Sequence, residues 1–158
     1  MKILSLDLAT KTGWAHNVDD PFMSNSGTSE FPVKRGESPG IRFLRCRAWL
    51  NSMSEDLMGI DVIVYEQAHH RGGAATAVCV GLATEVQAFA AEQGIELMTV
   101  HTSKLKKFAT GNGRASKEDM IKAAKRLGWA PADDNEADAI MLLYFAVTEL
   151  GEEPKGEE

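Results

Sequence analysis

Apolar runs separated by turn-rich segments divide the first part of the chain into short strands. Nearly continuous apolar runs predict buried strands at residues 2–8, 61–66 and 95–100. A turn-like ATKT segment follows the first run, so residues 13–17 are expected to pair back on it as a hairpin. A further strand is expected near residues 26–31, ahead of a loop rich in proline, glycine and serine. The chain is therefore predicted to begin with three strands in succession.

Apolar residues at helical spacing mark the remaining segments. They predict helices at residues 41–58, 74–93, 103–110 and 117–127, and a last helix from residue 134 through residue 144. Ser116, with Asp119 three positions later, is a weaker form of the capping box that marks a helix start. Three strands followed by strands alternating with helices predict a mixed sheet with packed helices, in the order βββαβαβα plus extra helical material before the last helix. We expect a single domain over residues 1–150.

The composition is that of an ordinary globular protein, with 44% apolar and 25% charged residues among 158. The sequence lacks an unbroken run of about eighteen apolar residues and a signal-type N-terminus, which predicts no membrane association and a cytoplasmic location in a bacterium or a virus-infected host cell. Cys46 and Cys79 lack the spacing of a zinc site and are expected to be free thiols. Residues 151–158 are polar and mostly acidic, which predicts a flexible tail.

The distribution of charge changes what the total suggests about partners. A net charge of −6 by itself argues against nucleic acid, because phosphate binding depends on lysine and arginine. Residues 104–126, however, contain only Glu118 and Asp119 as acids against the basic residues Lys104, Lys106, Lys107, Arg114, Lys117, Lys122, Lys125 and Arg126. A solvated helix face is the ordinary alternative, but a surface selected for solubility would mix in more acids. We therefore expect phosphate contacts from this group.

Three acidic residues stand at the edges of apolar elements. Asp7 lies within the run ILSLDL, Glu66 ends the run VIVYE, and Asp138 lies early in the last helix. An ionised group that leaves water needs a compensating partner, and converging carboxylates repel one another unless a cation lies between them. Oxygen ligands favour a hard ion such as Mg²⁺ or Mn²⁺. One hypothesis is therefore a metal site shared by the three.

Each acid also has a simpler explanation. Asp7 is explained equally well as a turn residue beside ATKT, because aspartate commonly organises turns. Glu66 is explained as a solvated residue at a strand end, and Asp138 as one of the acids that complement a helix dipole. From the residues alone, both interpretations stay open.

The order of the segments MKILSLDLATKTGWA, DVIVYEQ, GNGRASK and DDNEADAIMLL resembles the RuvC-type Holliday junction resolvases of the ribonuclease H-like nuclease superfamily. The resemblance covers roughly residues 1–148. It implies a ribonuclease H-like fold, with a five-stranded mixed sheet and helices on both faces. It also implies two Mg²⁺ or Mn²⁺ ions held by Asp7, Glu66, Asp138 and a fourth ligand, with Lys117 as a further catalytic residue.

Two departures from the family pattern bear on the site. The family usually has an acid or histidine one helical turn before the last aspartate; direct alignment puts Asn135 there, and Asp134 lies one residue earlier. Residues three and four apart share a helix face, so both stay candidates for the fourth ligand. The turn LATKT replaces the proline, glycine and serine or threonine that bacterial members tend to have, which indicates a divergent lineage with a phage as one candidate source.

The resemblance also implies where DNA would be contacted. Lys104 or Lys107, together with Lys117, match positions near the scissile phosphate, and Arg114 lies in the same basic stretch. The loop after Glu66 matches one that reaches into the junction, and its candidate contacts are His69, His70 and Arg71. Loop surface and a metal-binding histidine pair are the alternatives for that loop. The alanine-rich helix at residues 74–93 is expected to form a twofold dimer interface.

The function implied is that of a homodimeric endodeoxyribonuclease that resolves four-way (Holliday) or other branched DNA by symmetric, metal-dependent phosphodiester hydrolysis, in DNA recombination and repair. The alternatives are a catalytically impaired module that binds branched DNA and a ribonuclease H-like nuclease that acts on flaps or forks. A sugar kinase or actin-like ATPase also begins with a strand and an aspartate. The chain lacks the length and the later glycine-rich phosphate loops of that class.

Overall fold

The computed structural model describes residues 1–67 and 72–151. Within these ranges the elements are β1 (Ile3–Asp7), β2 (Lys11–His16), β3 (Ser26–Glu30), α1 (Ile41–Asp56), β4 (Val62–Glu66), α2 (Ala74–Gln93), β5 (Glu96–Val100), α3 (Thr102–Thr110), α4 (Lys117–Arg126) and α5 (Asp134–Glu149). The predicted order of elements is confirmed. The predictions made for His69, His70, Arg71 and most of the acidic tail lie outside the described residues.

The strands form one mixed sheet in the order β3-β2-β1-β4-β5. β1 and β2 form the predicted antiparallel hairpin, β3 pairs antiparallel with β2, and β1, β4 and β5 run parallel. The turn between β1 and β2 is closed by Thr12, whose hydroxyl donates to the Ala9 carbonyl oxygen at 2.7 Å and accepts from the Ala9 N–H at 3.3 Å. LATKT therefore forms a tight hydrogen-bonded turn directly after Asp7.

Helices cover both faces of the sheet. Alternate residues of a strand point to opposite faces, so Leu4 and Ile63 belong to the core beneath α1 and α2, while Ile3 and Val62 pack in the core with α3, α4 and α5. This arrangement of a five-stranded mixed sheet between two helical layers is the ribonuclease H-like fold and confirms the predicted fold class.

The start of α5 is fastened to the first three strands by close polar contacts. Ser5 Oγ donates to the Ala139 carbonyl oxygen at 2.6 Å. The carboxylate of Glu136 is buried and accepts from the Ser26 hydroxyl at 2.8 Å. A Cβ at Gly13 would overlap the backbone carbonyl of Asn135, so β2 and α5 approach each other as closely as a glycine allows. The N-terminal turns of α5 therefore have a fixed position over the sheet.

A large part of α2 is not covered by the rest of the protein. It has 20 residues and is long and apolar enough, by length and composition alone, to cross a membrane, and 28% of its most apolar stretch is buried inside the protein. Leu82 and Phe89 pack into the core, whereas Val80 is exposed. On α2 and α1 respectively, Cys79 and Cys46 are free thiols, as predicted.

Candidate functional site

Three carboxylates from distant parts of the chain converge at the carboxyl ends of β1 and β4. One side-chain oxygen each of Asp7, Glu66 and Asp138 lie within 4.8 Å of one another, and all three residues are half-buried. The three acids selected from the sequence are therefore neighbours in space. Their oxygen-only donor set and short separation fit a hard divalent cation.

The strand pairing explains why two of these acids meet. Leu6 of β1 pairs with Tyr65 of β4, so the next residues, Asp7 and Glu66, end parallel neighbouring strands at the same edge. Ser5, two residues before Asp7, hydrogen-bonds to α5, so strand alternation also directs Asp7 toward the α5 face. The fixed start of α5 supplies Asp138 on that face.

Burial and mutual repulsion disturb the titration of the cluster. Burial, followed by the charges of Asp138 and Glu66, raises the pKa of Asp7 well above its ordinary value. Burial, followed by the charges of Glu66 and Asp134, raises the pKa of Asp138 to about 7. Both shifts have the sign expected when carboxylates crowd together without a cation. A bound divalent ion would remove the repulsion, so the electrostatics fit a metal site.

Asp134 also belongs to this electrostatic neighbourhood. It lies one helical turn before Asp138, and its charge raises the pKa of both Asp7 and Asp138. Asn135, the other candidate for a fourth ligand, places its backbone carbonyl against Gly13 of β2. The charge of Asp134 therefore acts on the cluster, and the oxygens that lie within 4.8 Å of one another belong to Asp7, Glu66 and Asp138.

Two lysines lie beside the acids. The charges of Lys106 and Lys117 lower the pKa of Asp138, against the larger effects that raise it. Lys117 Nζ also lies 3.8 Å from Asp134 Oδ2. The resemblance singled out Lys117, whereas Lys106 was predicted only as one member of the basic group expected to contact phosphate. The exact start of α3 would have indicated Lys106. Thr102, the first residue of α3, lies beside Glu66, and Lys106 lies four positions later on the same helix face.

The other basic residues selected from the sequence have different surroundings. Lys104 extends over an aromatic ring of α5, with its Nζ 5.5 Å from the centroid of Phe145. Lys107 is exposed in the last turn of α3, and Arg114 is exposed in the loop before α4. These side chains belong to the basic surface, and Lys106 rather than Lys104 is the lysine of α3 that affects Asp138.

The contact of Thr102 with Glu66 is a feature of the site that the sequence did not indicate. Thr102 is the first residue of α3, and its hydroxyl donates a hydrogen bond to Glu66 Oε1. A threonine at a helix start is usually explained by capping, and here His101 occupies the N-cap position instead. Only the strand pairing that brings β4 beside β5 reveals the contact.

The fold and the acid cluster together define a ribonuclease H-like domain with a candidate metal centre. Two solved structures share this fold over nearly the whole chain. RuvC from Thermus thermophilus has a TM-score of 0.73 at 18% sequence identity, with 96% of this chain and 97% of that chain covered. T. thermophilus RuvC in complex with a Holliday junction substrate has a TM-score of 0.72 at 17% identity, with 94% and 96% covered.

No protein-family model matches this sequence, and neither does any curated protein sequence. The likeness is therefore one of structure at low sequence identity. It extends over both chains almost completely, so it involves the whole domain rather than one motif. The protein has a RuvC-like fold.

Proposed function

We propose that this protein is a metal-dependent endonuclease that resolves four-way or other branched DNA, acting as a homodimer. The observation that carries the proposal is the convergence of Asp7, Glu66 and Asp138 within a RuvC-like fold. One of the two similar structures is a complex with a Holliday junction substrate, which supports the choice of substrate class. The proposed setting is the cytoplasm of a bacterium or a virus-infected cell, in DNA recombination and repair.

The proposed chemistry assigns a role to each acidic residue. Asp7, Glu66, Asp138 and Asp134 would hold two Mg²⁺ or Mn²⁺ ions, with Asn135 as the alternative fourth ligand. Ions so bound supply the positive charge that activates a water for in-line attack on the phosphodiester and stabilises the leaving oxygen. The acids must be ionised to bind cations, so the raised pKa of Asp138 predicts that metal binding releases protons near neutral pH.

The proposed DNA contacts come from the basic surface beside the acids. Lys106 and Lys117 are proposed to contact the phosphates nearest the acid cluster, because their charges already act on Asp138. Lys104, Lys107 and Arg114 would bind phosphates farther along the backbone. These contacts would make binding weaken steeply with salt. His69, His70 and Arg71, which lie outside the described residues, are proposed to contact bases or phosphates near the junction centre.

The dimer is proposed to form through α2. Its exposed side chains include Val80 and several alanines, and most of its apolar stretch is not buried within a single chain. A second copy would cover this surface and give paired sites for two symmetric nicks. Sedimentation at micromolar concentration tests the idea, with a Val80→Arg variant expected to shift the population to monomer. A wild-type monomer with and without junction DNA would refute it.

The central experiment is cleavage of a synthetic four-way junction, with a linear duplex of matched sequence as the substrate control. In Mg²⁺ or Mn²⁺ the wild type should nick opposite strands symmetrically. Asp7→Asn should abolish cleavage and leave junction binding intact, because it removes a metal ligand without changing size. Asp19→Asn, at an exposed loop position, is the matched control and should cleave normally. Cleavage that survives Asp7→Asn would overturn the proposal.

The neutral side chain of Asn135 favours a second candidate, a module that binds branched DNA with impaired catalysis. The same gel distinguishes the two, since this candidate would retard the junction without cutting it in either metal. Asn135→Asp should then restore cleavage. Flap and fork substrates in the same assay test the remaining alternative, a ribonuclease H-like nuclease of different substrate preference.

A further inference from the structure

The carboxylate of Glu66 is held by a residue from a different element. The Thr102 hydroxyl donates to Glu66 Oε1 across the gap between the end of β4 and the start of α3. We propose that Thr102 is a positioning residue that fixes the orientation of Glu66 for metal binding. The inference rests on the proposed function, because it assigns Thr102 a role in the same site.

The backbone makes this contact specific to its position. Glu66 is paired with Val100 in the parallel β4–β5 ladder, and the Gln67 N–H donates to the Val100 carbonyl oxygen at 2.8 Å. Thr102 follows two residues after Val100, at the point where the chain turns from strand to helix. The pairing of β4 with β5 therefore fixes the positions of both Glu66 and Thr102 and places the hydroxyl beside the carboxylate.

A hydrogen-bond donor beside the Glu66 carboxylate would favour metal binding. A glutamate side chain has several rotatable bonds, and its carboxylate must be held in one orientation to bind an ion tightly. Hydrogen bonds to the ligand residues of a metal site supply this orientation, and their loss typically lowers metal affinity about 10–100-fold. The Thr102 hydroxyl holds the Glu66 carboxylate through Oε1, and the carboxylate keeps further lone pairs to bind an ion.

α3 connects this contact to the basic surface. Thr102 and Lys106 are four residues apart on one helix face, and Lys106 acts on Asp138 while Thr102 holds Glu66. A single short helix thus presents a hydrogen-bond donor to one acid of the cluster and a positive charge to another. A shift of α3 would disturb both acids together.

The test compares three variants by Mn²⁺ binding, measured by calorimetry without DNA, and by junction cleavage. Thr102→Val keeps the shape of the side chain but removes the hydroxyl, and it should weaken Mn²⁺ binding about tenfold or more. Thr102→Ser retains the hydroxyl and should stay within about threefold of wild type. Thr99→Val, at an exposed position of the edge strand β5, is the matched control and should bind Mn²⁺ like wild type.

The outcomes separate this inference from the proposed function. Thermal unfolding in EDTA shows whether each variant is folded, and the serine variant tests the hydroxyl even if valine perturbs packing. Equal Mn²⁺ affinity for wild type and Thr102→Val, or a serine variant as weak as valine, would overturn the role of Thr102 while leaving the nuclease proposal standing. A wild type that binds Mn²⁺ but cleaves no DNA would overturn the nuclease proposal and leave the Thr102 comparison valid. A wild type that binds no Mn²⁺ would overturn both.

Discussion

Replacing Asp138 with asparagine should stabilise the metal-free protein. The pKa of Asp138 is about 7, against 3.8 for an ordinary aspartate, because of burial and the charges of Glu66 and Asp134. A shift of about three pKa units corresponds to about 4 kcal/mol of unfavourable free energy once the group is forced to ionise. Partial exposure and relaxation of the site reduce this figure, so we expect Asp138→Asn to raise the free energy of unfolding by about 2–4 kcal/mol above neutral pH.

The pH dependence follows from the sign of the shift. Because the folded state holds this proton more tightly than the unfolded state, the wild type loses stability as pH rises from about 4 to about 7. The Asp138→Asn variant lacks this loss, so its advantage should be small near pH 4 and reach its full size near pH 8. In a protein of this size the full effect corresponds to a rise of about 6–12 °C in melting temperature.

The assay is thermal or urea unfolding in EDTA across this pH range, repeated with Mn²⁺ in excess. With metal at about one hundred times its dissociation constant, the wild type should gain about 2.7 kcal/mol and the variant much less. Asp19→Asn removes a charge from an exposed loop position and serves as the control. If Asp138→Asn is no more stable than wild type in EDTA near pH 8, the acids do not repel as described.

Two further predictions concern the contacts around the cluster. Gly13→Ala should destabilise the protein by about 3 kcal/mol or more in urea unfolding, because its methyl group would overlap the Asn135 carbonyl; Gly40→Ala, whose methyl meets only ordinary contacts, should be nearly neutral, and equal effects would refute the close approach. Lys106→Ala should slow junction cleavage about tenfold more than Lys104→Ala, because Lys106 lies beside the acids whereas Lys104 extends over an aromatic ring. Equal rates for the two lysine variants would contradict that distinction.

The order of elements was predictable because the chain is locally consistent. Continuous apolar runs became the parallel strands, the capping box at Ser116 and Asp119 begins α4, and Gly94 ends α2 in a left-handed conformation. The three acids were also predictable as candidates, because each interrupts or ends an apolar element. Their meeting was not derivable from spacing alone, since it depends on β1 and β4 being parallel neighbours.

The sequence could not distinguish between neighbouring residues of a helix, because that choice depends on the direction in which each side chain points. Lys104 and Lys107 were selected because they match positions of the family, whereas the start of α3 decides which lysine acts on Asp138. The question of Asp134 or Asn135 has the same origin, because both lie within one turn of Asp138. An error of one residue in a helix rotates a side chain by about 100°, enough to exchange one face for another.

The acid cluster is the place where this otherwise consistent protein departs from what stability alone would select. Two buried polar side chains near the start of α5 have partners: Ser5 bonds to α5, and the carboxylate of Glu136 accepts from Ser26. At the carboxyl ends of β1 and β4, by contrast, Asp7 and Asp138 are held where burial and like charge oppose their ionisation. A fold that positions α5 so closely could have avoided this repulsion with neutral residues of the same size. The unfavourable charge is therefore best explained by a ligand of opposite sign. For this reason, the stability of the metal-free protein and its response to Mn²⁺ test the proposed function independently of cleavage.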